Sequence, residues 1–227
     1  MVEVDRRTRL IGWLEVIFAD VQQLLLNDHI FWELQEIVER NDEFLRASGL
    51  FTRFIASAYA QSAAIGIRRQ IKANTDSVSI MRFLKEIQTY PDLVSRAHYM
   101  SLYKGLEDWR IELGQHDFDK VAGTGSKHLP PELVRQQIQE VNEAAENIEH
   151  YVDRRVAHHD KRGLARPMPK FDDIRDTLKV LESMVILHWR LLKGPSMSTM
   201  TPTILNDWKD IFRFAWEPTS PRPGREP

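Results

Sequence analysis

The sequence predicts an all-α protein of several packed helices, and three observations predict it. Apolar residues recur at the i, i+3, i+4, i+7 spacing of a helix along most of the 227 residues. Alternating β-branched runs closed by Asn-Gly or Asp-Gly turns, the mark of hairpins, are missing. Small residues (Ala56, Ala60, Ala63, Ala64 and Gly66) gather in one segment, where they let a neighbouring helix approach closely.

The first helix is expected over about 6–26, with Leu10, Trp13, Leu14, Ile17, Val21, Leu24 and Leu25 in one stripe. A second follows from Asp28 to Ala47, and a third, central one from Leu50 to Lys72. Asp76 or Ser77 is the expected N-cap of a helix through Tyr90, and Pro91-Asp92 restarts the chain into a further helix through about Gly105. Residues 115–129 are expected to form a loop around Gly123-Thr124-Gly125-Ser126. Pro130-Pro131-Glu132 opens the longest helix, expected at about 130–162 and about 45 Å long. After an irregular stretch holding Pro167 and Pro169, an amphipathic helix runs from Phe171 to Lys193 and closes at Gly194-Pro195. A short helix at 203–214 ends a single domain spanning 1–217, and the Pro-rich stretch 218–227 is expected to be disordered.

With 42% hydrophobic residues, 28% charged residues and a net charge of -2, the composition is that of an ordinary globular protein. Near-balanced charge argues against a broad nucleic-acid-binding face, though it leaves room for a local basic patch. The absence of cysteine excludes thiol catalysis, CxxC redox chemistry, zinc knuckles and disulfides together, and suits a cytoplasmic location. The first residues carry both signs of charge and no cleavage-site pattern, and the longest apolar runs, such as Leu24-Leu25-Leu26, fall short of the ~20 residues a bilayer needs. No membrane segment is expected. Gly123 to Ser126 lacks the Gly-Lys-Ser/Thr ending of a phosphate cradle, and no GxSxG, HExxH or EF-hand pattern occurs.

Chemistry concentrates at the end of the long helix. There the stripe Val134, Ile138, Val141, Ala145, Ile148, Val152 continues by the same spacing onto Arg155, Val156 and His159. On a straight helix Arg154 and His158 lie four apart on one face, with Arg155 and His159 as a second such pair. Tyr151, Asp153 and Asp160 flank them, and a carboxylate there can orient an imidazole through its second nitrogen. Such a group suits RNA cleavage, since a histidine moves protons near neutral pH and an arginine holds a phosphate. Two other readings stay open. Arg and His favour the last turn of any helix, where they complement the macrodipole. Glu146, His150 and Asp153 have a spacing that could ligate a metal.

The stretch Tyr151-Val-Asp-Arg-Arg-Val-Ala-His-His-Asp160 resembles the signature of the HEPN superfamily, in particular its abortive-infection AbiU-like branch. Looser similarity extends to Asp28-His-Ile-Phe-Trp-Glu-Leu, Ser77-Val-Ser-Ile-Met-Arg-Phe-Leu and Trp208-Lys-Asp-Ile-Phe-Arg-Phe-Ala-Trp216. The resemblance implies an up-down helical bundle that dimerises and, in active members, a ribonuclease that needs no metal or cofactor and draws Arg and His from both subunits. It further implies RNA as substrate, a second copy as partner and a protein antitoxin. The family pattern is an Arg, four to six residues, then a His; Arg154 to His159 satisfies it, whereas alignment on Ala157-His158 puts the expected Arg at Val152 or Asp153. By resemblance His158 or His159 acts as general base, Arg154 or Arg155 holds the scissile phosphate, and Asp153 or Tyr151 orients them. The competing class is a non-catalytic helical scaffold or regulatory module. Trp208, Phe212 and Trp216 could stack on bases, but aromatics at helical spacing are more often core.

Overall fold

The computed structural model describes residues 2–41, 49–156, 168–194, 197–201, 203–204 and 207–213. Seven α-helices appear among them: α1 (Val2–Glu39), α2 (Gly49–Ile71), α3 (Ile80–Thr89), α4 (Arg96–Ser101), α5 (Asp108–Ala122), α6 (Pro131–Tyr151) and α7 (Phe171–Lys193). A 3-10 turn at Pro91–Val94, a π turn at Val152–Val156 and a 3-10 turn at Trp208–Arg213 complete the elements. No strand occurs among the described residues, so the expected all-α bundle stands; its one extended pairing is the isolated bridge between Ser95 and His128.

The expected break between a first and second helix is absent: α1 runs unbroken for 38 residues. Asn27 and Asp28 read as breakers because short polar side chains compete for main-chain hydrogen bonds. Here they bond elsewhere. Asn27 accepts from Gln23 Nε2 at 2.9 Å, and Asp28 accepts from Trp32 Nε1 at 3.1 Å and from the Tyr59 hydroxyl on α2. The apolar stripe Leu10, Leu14, Ile17, Val21 and Leu24 is buried, and α1 packs against α2 and α7. By length and composition the Arg6–Glu39 stretch of α1 also meets the requirements of a membrane span, which its short apolar runs did not suggest. In this fold that stripe lies against protein.

Helix α2 is central, as its small residues predict. Ala63, Ala64 and Gly66 are buried, and a Cβ built on Gly66 would lie 2.4 Å from Leu24 Cδ2 of α1. The N-cap of α3 is Ser79, two residues beyond the expected Ser77; its hydroxyl accepts from Arg82 N at 3.2 Å and donates to the Lys72 carbonyl that ends the preceding turn. The stretch after Pro91 is not one helix through Gly105 but a 3-10 turn followed by the six-residue α4.

The expected loop at 115–129 begins only at Gly123, because α5 extends through Ala122. Phe118 explains the difference: it is fully buried against the Tyr99 ring at 5.5 Å and lies under the Arg96 guanidinium at 4.7 Å. Arg96 also pairs with Asp119, holding that carboxyl below the usual carboxylate range. Burial of one face overrides a run of weak helix formers. Helix α6 starts at Pro131 with Pro130 as its cap, as expected, but regular α-helix stops at Tyr151 and a π turn carries the chain to Val156. The rest of the expected long helix, 157–162, lies outside the described residues. The bounds of α7 agree with expectation, and Gly194 ends it at a φ of +114°. Of the short helix expected at 203–214, the described residues show a 3-10 turn at Trp208–Arg213, whose Trp208 donates to Glu33 Oε2 at 3.2 Å, while Lys209 bonds Glu33 Oε1 at 2.6 Å. Trp216 and the stretch 218–227 lie outside the described residues.

One polar pair sits inside the core. His188 of α7 is wholly buried, donates from Nε2 to Oε1 of buried Gln137 on α6 at 3.1 Å, and meets the Phe83 ring edge-on at 5.1 Å. Its Nδ1 is buried without a hydrogen-bond partner among the described residues. Burial holds the imidazole far below its ordinary value, at about 3. The unfolded chain therefore binds a proton near pH 6.5 that the folded chain refuses. Stability from this group is fully present above that value and is lost as pH falls toward 3. Equilibrium unfolding between pH 6 and 4 should show the parent chain losing up to about 1.4 kcal/mol per pH unit more than His188→Gln.

Packing at Gly66 generates a second expectation, measured by thermal or denaturant unfolding. Gly66→Val should destabilise by about 1–3 kcal/mol, because the added methyls collide with a buried leucine. Gly12→Ala on α1, where a Cβ meets nothing within 4 Å, should instead stabilise by up to ~1 kcal/mol through helix propensity alone.

Candidate functional site

The C-terminal turn of α2 carries Arg68 and Arg69, with Lys72 just beyond it, where cations are favoured by the carbonyl end of a helix. Glu149, in the last turn of α6, and Asp153, in the π turn that follows it, meet them. Arg68 Nε lies 2.5 Å from Asp153 Oδ1; Lys72 bonds Glu149 and lies 3.8 Å from Asp153 Oδ2. From α1, Asp20 pairs with Arg69 at 3.0 Å and accepts from Gln70 Nε2 at 3.1 Å. The fully buried Gln70 side chain uses its oxygen to accept from Ile80 N at 3.1 Å, so one amide links α1, α2 and α3. These bonds fix the cation row to three elements at once.

The row lines a cleft of about 390 Å³ whose wall includes Ile65, Arg68, Arg69, Lys72, Ser77 and Val152. Val152 is the first residue of the π turn, so the cleft opens directly beside the segment singled out in the sequence. All three cations keep part of their side chains exposed at its mouth. Guanidinium and ammonium groups in that position can hold the oxygens of a phosphate, Arg in a planar fork and Lys as a point charge.

The expected residues distribute as follows around this cleft. Val152 completes the buried stripe Val134, Val141, Ala145, Ile148 of α6. Tyr151 is half-buried and packs against the core. Asp153 turns toward α2, and its carboxylate is engaged by Arg68 and Lys72. Arg154 lies in the π turn, as does the main chain of Arg155. His158, His159 and Asp160 lie outside the described residues. A π turn closes i→i+5 rather than i→i+4 hydrogen bonds, which places one extra residue in the turn. The four-residue pairing of Arg154 with His158 and of Arg155 with His159 assumed unbroken α-helix, and that premise fails over 152–156. Among the described residues no three His, Asp or Glu side chains gather as a metal-binding group, so Glu146, His150 and Asp153 do not form one.

Arg68, Arg69 and Lys72 were not among the residues expected at the site. A signal for them existed: α2 is a 23-residue helix with no Asp or Glu, and Arg68 and Arg69 both stand in its last turn.

Comparison with known proteins adds one finding. The family model described as AbiU2, a HEPN family, matches residues 8–211, from the first turns of α1 to the Trp208–Arg213 turn. No curated protein and no solved structure matches. A match over nine-tenths of the chain, on a bundle whose basic cleft adjoins the Tyr151–Asp160 signature, shows that the chain belongs to the AbiU2 family of HEPN proteins.

Proposed function

We propose that this protein is a metal-independent endoribonuclease of the toxin or phage-defence type, acting as a homodimer held in check by a protein antitoxin. Its substrate is RNA. The 2′-hydroxyl oxygen attacks the adjacent phosphorus, the bond to the 5′-oxygen breaks, and the products carry a 2′,3′-cyclic phosphate and a 5′-hydroxyl. His158 or His159 takes the 2′-hydroxyl proton, and Arg154 or Arg155 holds the scissile phosphate against the charge that builds on it. Tyr151 or Asp153 orients this set, Asp153 through its bonds to Arg68 and Lys72. No metal or cofactor enters the scheme.

The observation that carries the reading is the cation-lined cleft of Arg68, Arg69 and Lys72 opening at Val152, one residue before the Asp153-Arg154-Arg155 run. In a chain of near-neutral net charge, basic side chains collected at that end of α6 suit a polyanionic strand. A second reading, a helical scaffold without catalysis, is favoured by a specific fact as well. Each of the three cations already has a carboxylate partner in Asp153, Asp20 or Glu149. On that reading the row serves to fasten α2 to α1 and α6.

Purified protein incubated with RNA in EDTA separates the two. The nuclease reading expects cleavage with cyclic-phosphate ends, reduced about 10²–10⁴-fold in the His158→Ala, His159→Ala double variant. An Arg69→Ala variant should weaken RNA binding without abolishing folding, since its Asp20 partner keeps the Gln70 bond. Cleavage that persists unchanged in the double histidine variant rules out these bases; no cleavage at all, with Arg68→Ala lowering the melting temperature, leaves the scaffold.

A further inference from the structure

Basic and aromatic side chains interleave along one face of α1. Arg6, Arg9, Trp13 and Val16 follow one another at alternating steps of three and four residues, and the next step on that face is Asp20, which pairs with Arg69 at the cleft. The helix rises about 21 Å between Arg6 and Asp20. Helix α3 and the residue that caps it form the other side. Arg82 lies over the Trp13 ring at 4.4 Å and Arg9 over the same ring at 5.3 Å, while Arg6 lies over the Tyr90 ring at 3.9 Å.

The charges on this face differ from those of the cleft in one respect. Arg9 is paired with Glu86 at 3.0 Å, but Arg6, Arg82 and Lys85 have no carboxylate partner among the described residues. Their positive charge is therefore available. The face also joins the cleft at two points. Arg82 Nη1 donates to the carbonyl of Ser77 at 2.7 Å, and Ser77 lines the cleft; Arg69, on the cleft wall, holds Asp20 at the near end of the α1 stripe. At the far end Arg7 donates to the main-chain carbonyls of Asp92 at 2.7 Å and Leu93 at 3.0 Å, fastening α1 beside Tyr90.

We propose that this face of α1 and α3 is the track along which an RNA strand lies as it leads into the cleft. The inference rests on RNA being the substrate. A guanidinium held over a ring has its rotamer fixed in advance and keeps N–H edges for phosphate oxygens. Tyr90, 39% exposed beside Arg6, and Val16, 51% exposed, give bases a surface to rest on. Rings set between cations favour a nucleic acid over an acidic peptide, because every base has a face to stack and a carboxylate has none. A track of about 21 Å suits a strand of about four nucleotides, at the short end of the footprints such grooves cover.

The test is fluorescence anisotropy with the full chain in EDTA and labelled 2′-O-methyl oligonucleotides, which have phosphates and bases but no attacking 2′-hydroxyl. A strand of about eight nucleotides should bind at least about tenfold more tightly than one of about three. Arg6→Gln and Lys85→Gln should each lower the slope of log affinity against log salt by about 0.7, the signature of one lost phosphate contact on a single strand. Tyr90→Leu should weaken binding about tenfold, whereas Tyr90→Phe, which keeps the ring, should bind as the parent does. Circular dichroism melting of each variant should match the parent chain. The inference is overturned if the longer strand binds no more tightly than the shorter, or if these variants leave affinity and salt slope unchanged while Arg69→Ala still weakens binding. Polyglutamate displacing the strand as readily as unlabelled RNA also overturns it, since the face then takes acidic peptide. Cleavage of unmodified RNA is scored separately. Binding without cleavage keeps the track and removes the nuclease; cleavage with indifferent track variants does the reverse.

Discussion

The close approach of Leu24 to Gly66 lets α2 lie near α1. A side chain at that position would have to displace the buried Leu24 side chain, whose Cδ2 lies 2.4 Å from where a Cβ would stand. With Ala63 and Ala64 also buried at the contact, α2 sits deep enough to touch α1, α3, α6 and α7. The cation row depends on this depth. Arg69 and Gln70 reach Asp20 on α1, Lys72 reaches Glu149 on α6, and Arg68 reaches Asp153 in the π turn, because the backbones lie near each other. Side chains of fixed length make electrostatics a consequence of packing here.

Much of this fold was legible before any coordinates. The stripe Leu10 to Leu24, the small residues of α2 and the Gly194 stop each follow from periodicity or from one residue's backbone freedom, and all three stand. The misreadings share a cause. Asn27-Asp28 and the stretch after His116 look like breaks because their local preferences are non-helical, but distant partners decide both. Tyr59 and Trp32 occupy the Asp28 carboxylate, and Tyr99 and Arg96 enclose Phe118. Tertiary partners of that kind, up to dozens of residues away, leave no trace in a local window.

The site was legible in its location and less so in its composition. That a core stripe yields to charged residues at the end of α6 can be counted along the chain, and the stripe is buried as far as Val152. What counting cannot supply is the helix that comes to face it. Arg68, Arg69 and Lys72 are some eighty residues earlier, and their relevance comes from the Asp153 contact, which belongs to the three-dimensional arrangement. The geometry of the Arg–His run was similarly out of reach, because a π turn has no period of its own to read.

The π turn at Val152–Val156 bears on how such chains can diverge. A single added residue is absorbed there as a local bulge, so everything upstream, anchored by Val141, Ala145 and Ile148, keeps its seat. Lineages can then lengthen or shorten this junction by a residue without repacking the hydrophobic interior.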